Sequence, residues 1–143
     1  MPLIQPMNAA EDFEDKPVDN GVYDLRITSA KVKESNSDKR QGAKYIAFGI
    51  KIEGVDGAAT VFHNLNIPLD TDEHTTQRMM MRDIRRFFRV FNIPEDAPIE
   101  EDTVADIFNG ATGKCQVIKA EALDRDGRKT GEHRNELRLP RVQ

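Results

Sequence analysis

Tyr45-Ile46-Ala47-Phe48-Gly49-Ile50-Lys51-Ile52 is the run whose reading decides the fold. Ile46, Phe48, Ile50 and Ile52 alternate with Tyr45, Ala47, Gly49 and Lys51, the period of two of a strand with one buried face. The apolar face is core. The other is bare around one aromatic and one cation. The same period recurs on both sides. Upstream, Val22-Tyr23-Asp24-Leu25-Arg26-Ile27 sets Tyr23, Leu25 and Ile27 on one face, and Val32 continues this strand past Ala30. Residues 34–42 between the two strands are a polar loop by composition. Downstream, Gly54-Val55-Asp56-Gly57 reads as a turn, and a third strand is expected from about Thr60 to Ile67, ending at Pro68.

The period then changes. A helix is expected to begin near Asp70–Glu73, which offer N-caps and an acidic first turn, and to stop at Asn92-Ile93-Pro94. At 100° per residue Met80, Ile84, Phe87 and Phe91 share one face, and Arg78, Arg82, Arg85 and Arg89 the opposite one. An acidic stretch leads to a short helix or turn with Val104, Ile107 and Phe108, closed by Asn109-Gly110. Two strands finish the chain. Lys114 to Ala122 contains Cys115, Val117 and Ile118, and His133 to Leu139 contains Leu137 and Leu139. Residues 124–131 between them form a hairpin loop rich in bases.

The order strand, strand, strand, helix, strand, strand predicts a mainly β protein: a five-stranded OB-fold barrel with an α-helix between strands 3 and 4, plugging one end. A five-stranded sheet packed by one helix in an unrelated α+β fold is the alternative. The 143 residues suit one domain. Residues 1–20, acidic and carrying Pro2, Pro6 and Pro17, read as a flexible leader, and residues 21–143 as the single domain. One Cys excludes an internal disulfide framework and fits a reducing cytoplasm, with Cys115 as a small core residue. No apolar run is long enough to cross a bilayer, and the start has neither a basic n-region nor an apolar h-region. A cytoplasmic protein with no membrane partner is expected.

Net charge is −4, which by itself counts against nucleic acid as a partner. Its distribution changes that. Residues 1–24, 54–77 and 95–112 carry −5, −4 and −6, while residues 25–53, 78–94 and 113–143 carry +4, +4 and +3. Segregated charge can give a locally basic surface on an acidic protein. Solvated faces of mixed sign are the blander account.

Three pieces resemble a known family. Asn20-Gly21-Val22-Tyr23-Asp24-Leu25-Arg26-Ile27 is similar to its opening strand motif. Val61-Phe62-His63-Asn64-Leu65-Asn66-Ile67 resembles its third strand, where an apolar pair precedes Asn-Leu-Asn. Arg134-Asn135-Glu136-Leu137-Arg138-Leu139-Pro140 resembles its terminal strand. The family is a group of bacteriophage proteins first filed as a domain of unknown function and regarded as single-stranded-DNA-binding or recombination-associated OB-fold proteins. The resemblance covers about residues 10–142 and rests on the order of short motifs. The long first loop and the acidic linker after the helix depart from the pattern. It implies single-stranded DNA binding in phage DNA replication or recombination, with replication or recombination proteins as partners and oligomeric state left open.

Single-stranded DNA binding needs bases along the phosphate path and aromatic faces for stacking. Tyr45 and Lys51 point away from the core face of their strand, and Gly49 between them would let a base or the backbone approach closely. On the third strand Phe62, Asn64 and Asn66 share one face, and Val61, His63, Leu65 and Ile67 the other. If the aliphatic face is core, Phe62 faces the ligand; the alternative buries Phe62 and turns His63 out. Tyr45 as an ordinary surface residue also stays open. The first hairpin supplies Lys31, Lys33, Lys39, Arg40 and Lys44, and the last supplies Arg125, Arg128 and Lys129. In an OB-fold these two loops flank one groove. The expected nucleic-acid-binding set is therefore Lys33, Lys39, Arg40, Lys44, Tyr45, Lys51, Phe62, Arg125, Arg128 and Lys129. The Arg78/Arg82/Arg85/Arg89 stripe lies opposite the plug and reads as a solvated face pairing with Glu95, Asp96, Glu100 and Glu101, or else as a contact for a protein or a second DNA path.

Signatures of catalysis are lacking. Three His and one Cys show no metal-ligand spacing, and there is no phosphate-binding Gly-rich loop or nucleophile elbow. Glu14-Asp15-Lys16 matches the Glu-x-Lys of some nucleases but sits in the leader with no strand around it. No catalytic residue, metal ligand or cofactor is expected. An OB-like interaction adaptor for a replication or recombination complex is the rival function. Residues 11–19 are expected to act as acidic tails of single-stranded-DNA-binding proteins do, recruiting partners or competing with DNA for the basic groove.

Overall fold

The computed structural model describes residues 15–35 and 42–140. Strands β1 (Gly21–Glu34), β2 (Lys44–Ile52) and β3 (Val61–Asn66) precede helices α1 (His74–Val90) and α2 (Val104–Phe108), and β4 (Thr112–Leu123) and β5 (Lys129–Arg138) follow. The five strands form one antiparallel sheet in the order β3-β2-β1-β4-β5. β3 and β5 come within 8 Å of each other at Cα, but among the described residues no ladder joins them. The expected OB-fold barrel is thus found as an open five-stranded sheet whose edge strands β3 and β5 lie near each other across a seam.

The alternation read from β2 is realised: Ile46, Phe48, Ile50 and Ile52 are all buried. On β1 the inward face changes parity. Leu25 and Ile27 are buried, then Ala30, because a bulge between Ile27 and Ser29 inserts one residue into the β1–β2 register. Thr28 Oγ1 donates to the Gly49 carbonyl at 3.0 Å at that point.

Helix α1 packs its apolar stripe on the inner face. Phe87 lies against Phe48 (centroids 4.4 Å) and Phe91 (4.8 Å), and Phe108 of α2 meets Phe48 edge-on at 5.0 Å. Phe88 joins through Phe108, so five of the six described phenylalanines form one cluster. The helix ends as the sequence suggests, and with a defined motif. Asn92 has φ 57°, the Ile93 N–H reaches the Phe88 carbonyl at 2.8 Å, and the Asn92 N–H reaches Arg89 at 3.5 Å, the bonds of a Schellman cap with Asn as the left-handed residue. The start differs from expectation. Glu73 is the N-cap residue without a side-chain cap bond, and the first turn has no acid. Asp72 instead accepts the Leu69 N–H at 2.8 Å, within the approach to the helix. Where α1 ends, Gly113 of β4 passes so close that a Cβ there would lie 2.1 Å from the Val90 carbonyl oxygen. Only glycine fits.

Residues 16–20, read as part of a flexible leader, are tied to the sheet. Lys16 bonds the backbone of Gly57 and Ala59 at 2.8 and 2.9 Å, and Asn20 Oδ1 accepts the Lys119 N–H at 2.6 Å. Val18 exchanges two hydrogen bonds with the side chain of Asn135 on β5. This segment spans from the approach to β3 across to β5 and β4, at one end of the seam.

Candidate nucleic-acid interface

The β1–β2–β3 register builds the outer face row by row. Lys33, Tyr45 and Asn66 stand side by side, then Lys31, Ala47 and Asn64, then Ser29, Gly49 and Phe62, then Arg26 and Lys51. Lys31, Lys33 and Lys51 are exposed and have no acid partner among the described residues. Arg26 is held by Glu53 at 2.6 Å, which removes its charge from the surface account. Tyr45 is half-buried at one end. Phe62, on the neighbouring strand and about 13 Å further along the strand direction, is 75% exposed, the highest value of any large apolar side chain among the described residues.

Glycine explains that exposure. Phe62 sits opposite Gly49, which has no side chain to pack against it. A Cβ at Gly49 would lie 2.6 Å from the Ser29 hydroxyl, which would have to turn away. The close approach expected at Gly49 is therefore made by Ser29 of β1. His63, the neighbour of Phe62, turns inward and stacks on Phe87 (5.3 Å, 5° between planes). Burial lowers its pKa below the ordinary histidine value, and the Asp83 carboxylate opposes this more weakly. Of the two orientations open for β3, the aliphatic-in, Phe62-out one is found.

The remaining sequence-derived residues distribute differently. Lys33 lies within β1, directly across from Tyr45, rather than in a loop. Lys44 has the inward parity of Ile46, and its amino group reaches Glu101 at 3.4 Å, away from Tyr45. Lys39 and Arg40 lie outside the described residues. Arg125 and Arg128 belong to a tight turn in which Asp124 Oδ1 accepts the N–H groups of Asp126 and Arg128 at 2.9 and 2.8 Å, and Lys129 opens β5. All three are exposed. By register this turn lies beyond Gly21, at the opposite end of β1 from Glu34 and the first hairpin. The structure thus brings together Lys33, Tyr45, Lys51 and Phe62, adds Lys31, Asn64 and Asn66, and sets the turn of the last hairpin beyond the far end of β1 from Lys33 and Tyr45.

On α1, Arg78, Arg82, Arg85 and Arg89 are exposed opposite the core stripe. Glu95 approaches Arg89 at 3.2 Å and Arg85 at 3.9 Å, and Asp83 approaches Arg82 at 3.9 Å. Of the four acids expected to pair with the stripe, Glu95 does so, and Glu101 goes to Lys44 instead. Met79 and Met81, both half exposed, line a surface hollow with Arg78, Arg82 and Arg85. Cys115 is buried, and burial raises its thiol pKa.

Neither the protein-family models nor the curated proteins compared with this chain give a match. Function has to be read from the chemistry of the site.

Proposed function

We propose that the protein binds single-stranded DNA without catalysis, along the outer face of β1–β3. One observation carries the proposal: three lysines without an acid partner among the described residues, Lys31, Lys33 and Lys51, share a continuous sheet face with Tyr45 and the exposed ring of Phe62. Lysines beside the backbone path supply salt-sensitive, sequence-blind attraction, and aromatic rings supply stacking platforms that accept any base. The strand order, with a helix between β3 and β4 and with β3 and β5 facing each other, supports reading the sheet as an OB-type fold with an open seam. The motif resemblance supports a role in phage DNA replication or recombination in the host cytoplasm.

The test is titration of labelled single-stranded and duplex oligonucleotides at low and high salt. Preferential binding of single strands, weakened by salt, is expected. Equal weak binding to both, or none, overturns the proposal.

A second reading has its own observation. Met79 and Met81 stand among Arg78, Arg82 and Arg85 on α1, an adaptable apolar surface set in positive charge. Such a face suits an acidic partner protein, so the chain would act as an adaptor. Capture of a replication or recombination protein without nucleic acid, lost on reversing Arg82 and Arg85, would favour it.

A further inference from the structure

The seam between β3 and β5 is more than a missing ladder. Ile67 donates its N–H to the Lys44 carbonyl at 3.0 Å, so in the antiparallel alternation the odd residues of β3 bond toward β2. The backbone groups of Phe62, Asn64 and Asn66 therefore turn toward the seam. Two adjoining hollows lie there. One, about 410 Å³, has Phe62, Asn64, Arg134 and Glu136 on its walls. The other, about 260 Å³, has His63, Asn64, Asp83 and Arg86. His63, Asn64 and Leu137 line both.

The smaller hollow has unmet hydrogen-bonding capacity. Among the described residues His63 Nε2 and Arg86 Nε are both buried without a hydrogen-bond partner, and both side chains line it. Leaving such groups unpaired is costly, so a ligand that meets them gains what the free protein lacks. Charge selects the kind of ligand. Arg86 and Asp83, of opposite charge, both line it, and burial lowers the His63 pKa below the ordinary histidine value. A phosphate would meet Asp83 as well as Arg86. A neutral planar ring with donors and acceptors along its edge suits the whole set, including the Asn64 amide. Phe62, the exposed ring already facing the DNA surface, lines the adjoining larger hollow.

We propose that the β3–β5 seam takes up one unstacked nucleobase of the bound strand, with Phe62 lining the adjoining hollow and His63, Asn64 and Arg86 hydrogen-bonding the base edge. This rests on the single-stranded DNA reading and deepens it. The lysine-lined face binds any sequence, whereas the seam makes affinity depend on which base is offered. Single-stranded bases expose their hydrogen-bonding edges to such a pocket.

The test follows the His63 imidazole ¹⁵N signals of the full chain during titration with a base-bearing oligonucleotide and with an equally long strand of abasic sugars. The Nε2 signal is expected to move with the base-bearing strand and to stay with the abasic one. Oligo-dA, oligo-dC and oligo-dT are expected to differ in affinity by about tenfold, the worth of one good base contact, and Arg86→Gln is expected to flatten those ratios. Asn64→Ala, checked for folding by circular dichroism, is expected to flatten them likewise. Equal Nε2 shifts with both strands would make the seam a phosphate site, and strand binding with no shift would leave it empty of base; either overturns the seam proposal alone. Failure of the wild-type protein to bind any strand overturns the parent reading and this one with it.

Discussion

Val18 donates its N–H to Asn135 Oδ1 at 2.8 Å and accepts a bond from Asn135 Nδ2 at 2.9 Å, across 117 positions of the chain. Asn135 thus serves the segment before β1 as a strand neighbour would. Its Nδ2 also reaches the Ile118 carbonyl at 3.3 Å, and among the described residues Asn135 is the one polar residue buried as a whole, at 4% exposure. Since the other end of that segment bonds Gly57 and Ala59, the pair links β5 to the approach to β3 where no described ladder does. Asn135→Ala leaves the Val18 N–H and C=O without these partners and should cost about 1–3 kcal/mol. Urea unfolding measures it. A midpoint equal to wild type would mean the link adds no stability.

Phe62 and Tyr45 should separate binding from stability. Phe62 contributes little burial, so Phe62→Ala should leave the thermal midpoint nearly unchanged. Loss of single-stranded DNA affinity by about 1–3 kcal/mol is expected for Phe62→Ala and for Tyr45→Ala, the worth of one base–aromatic stack. Phe48→Ala is the contrast: it empties the centre of the aromatic cluster and should cost about 3–5 kcal/mol of stability. Fluorescence anisotropy and calorimetry on the three variants make the comparison, and wild-type affinity in Phe62→Ala would remove that ring from the interface.

The lysines should be legible in the salt dependence. Taking away one cation that neutralises a phosphate lowers the slope of log affinity against log salt by about 0.7 for a single strand. Replacing Lys31, Lys33 and Lys51 together by Gln should lower it by about 2. Replacing Lys44, whose amino group is engaged with Glu101, should change it less than replacing any one of the three. An unchanged slope in the triple variant would place the phosphate path elsewhere.

His63 gives the fold a pH dependence of defined sign. Its folded pKa is lowered by burial, while the unfolded chain has the ordinary value near 6.5. Below pH 6.5 the unfolded state takes up the proton first, so this site's contribution is complete above 6.5 and declines as pH falls toward the folded value. His63→Phe keeps a ring beside Phe87 and removes the proton site. The drop in urea midpoint between about pH 7.5 and about pH 5.5 should be smaller in that variant than in wild type, and an equal drop would assign the dependence elsewhere.

Much of this architecture is legible in local pattern. The alternation at 46–52 gives β2 and its inner face, the 3.6-residue period gives α1 and both its stripes, and Asn92-Ile93-Pro94 gives its end. Part of the site is equally legible. Tyr45 and Lys51 face out because their neighbours face in, whereas Lys44, expected with them at the groove, shares the parity of Ile46 and reaches Glu101 instead. Lys33 is harder to place, since a polar run after β1 looks like loop until its partner strand is known. The Asn135–Val18 pair, 117 positions apart, has no local signature at all.

The sequence by itself determined the buried faces of β2 and of the helix, because hydrophobic periodicity is a property of neighbours along the chain. The tertiary structure decided which surfaces those residues leave behind. Without the bulge after Ile27, Lys31 and Lys33 would keep the inward parity of Leu25 and Ile27. The extra residue turns them out beside Tyr45, and the β2–β3 register sets Phe62 across from Gly49. The seam depends likewise on how far the sheet curls before its edges meet. These outcomes are set by pairing between strands, where a shift of one residue moves every side chain to the other face.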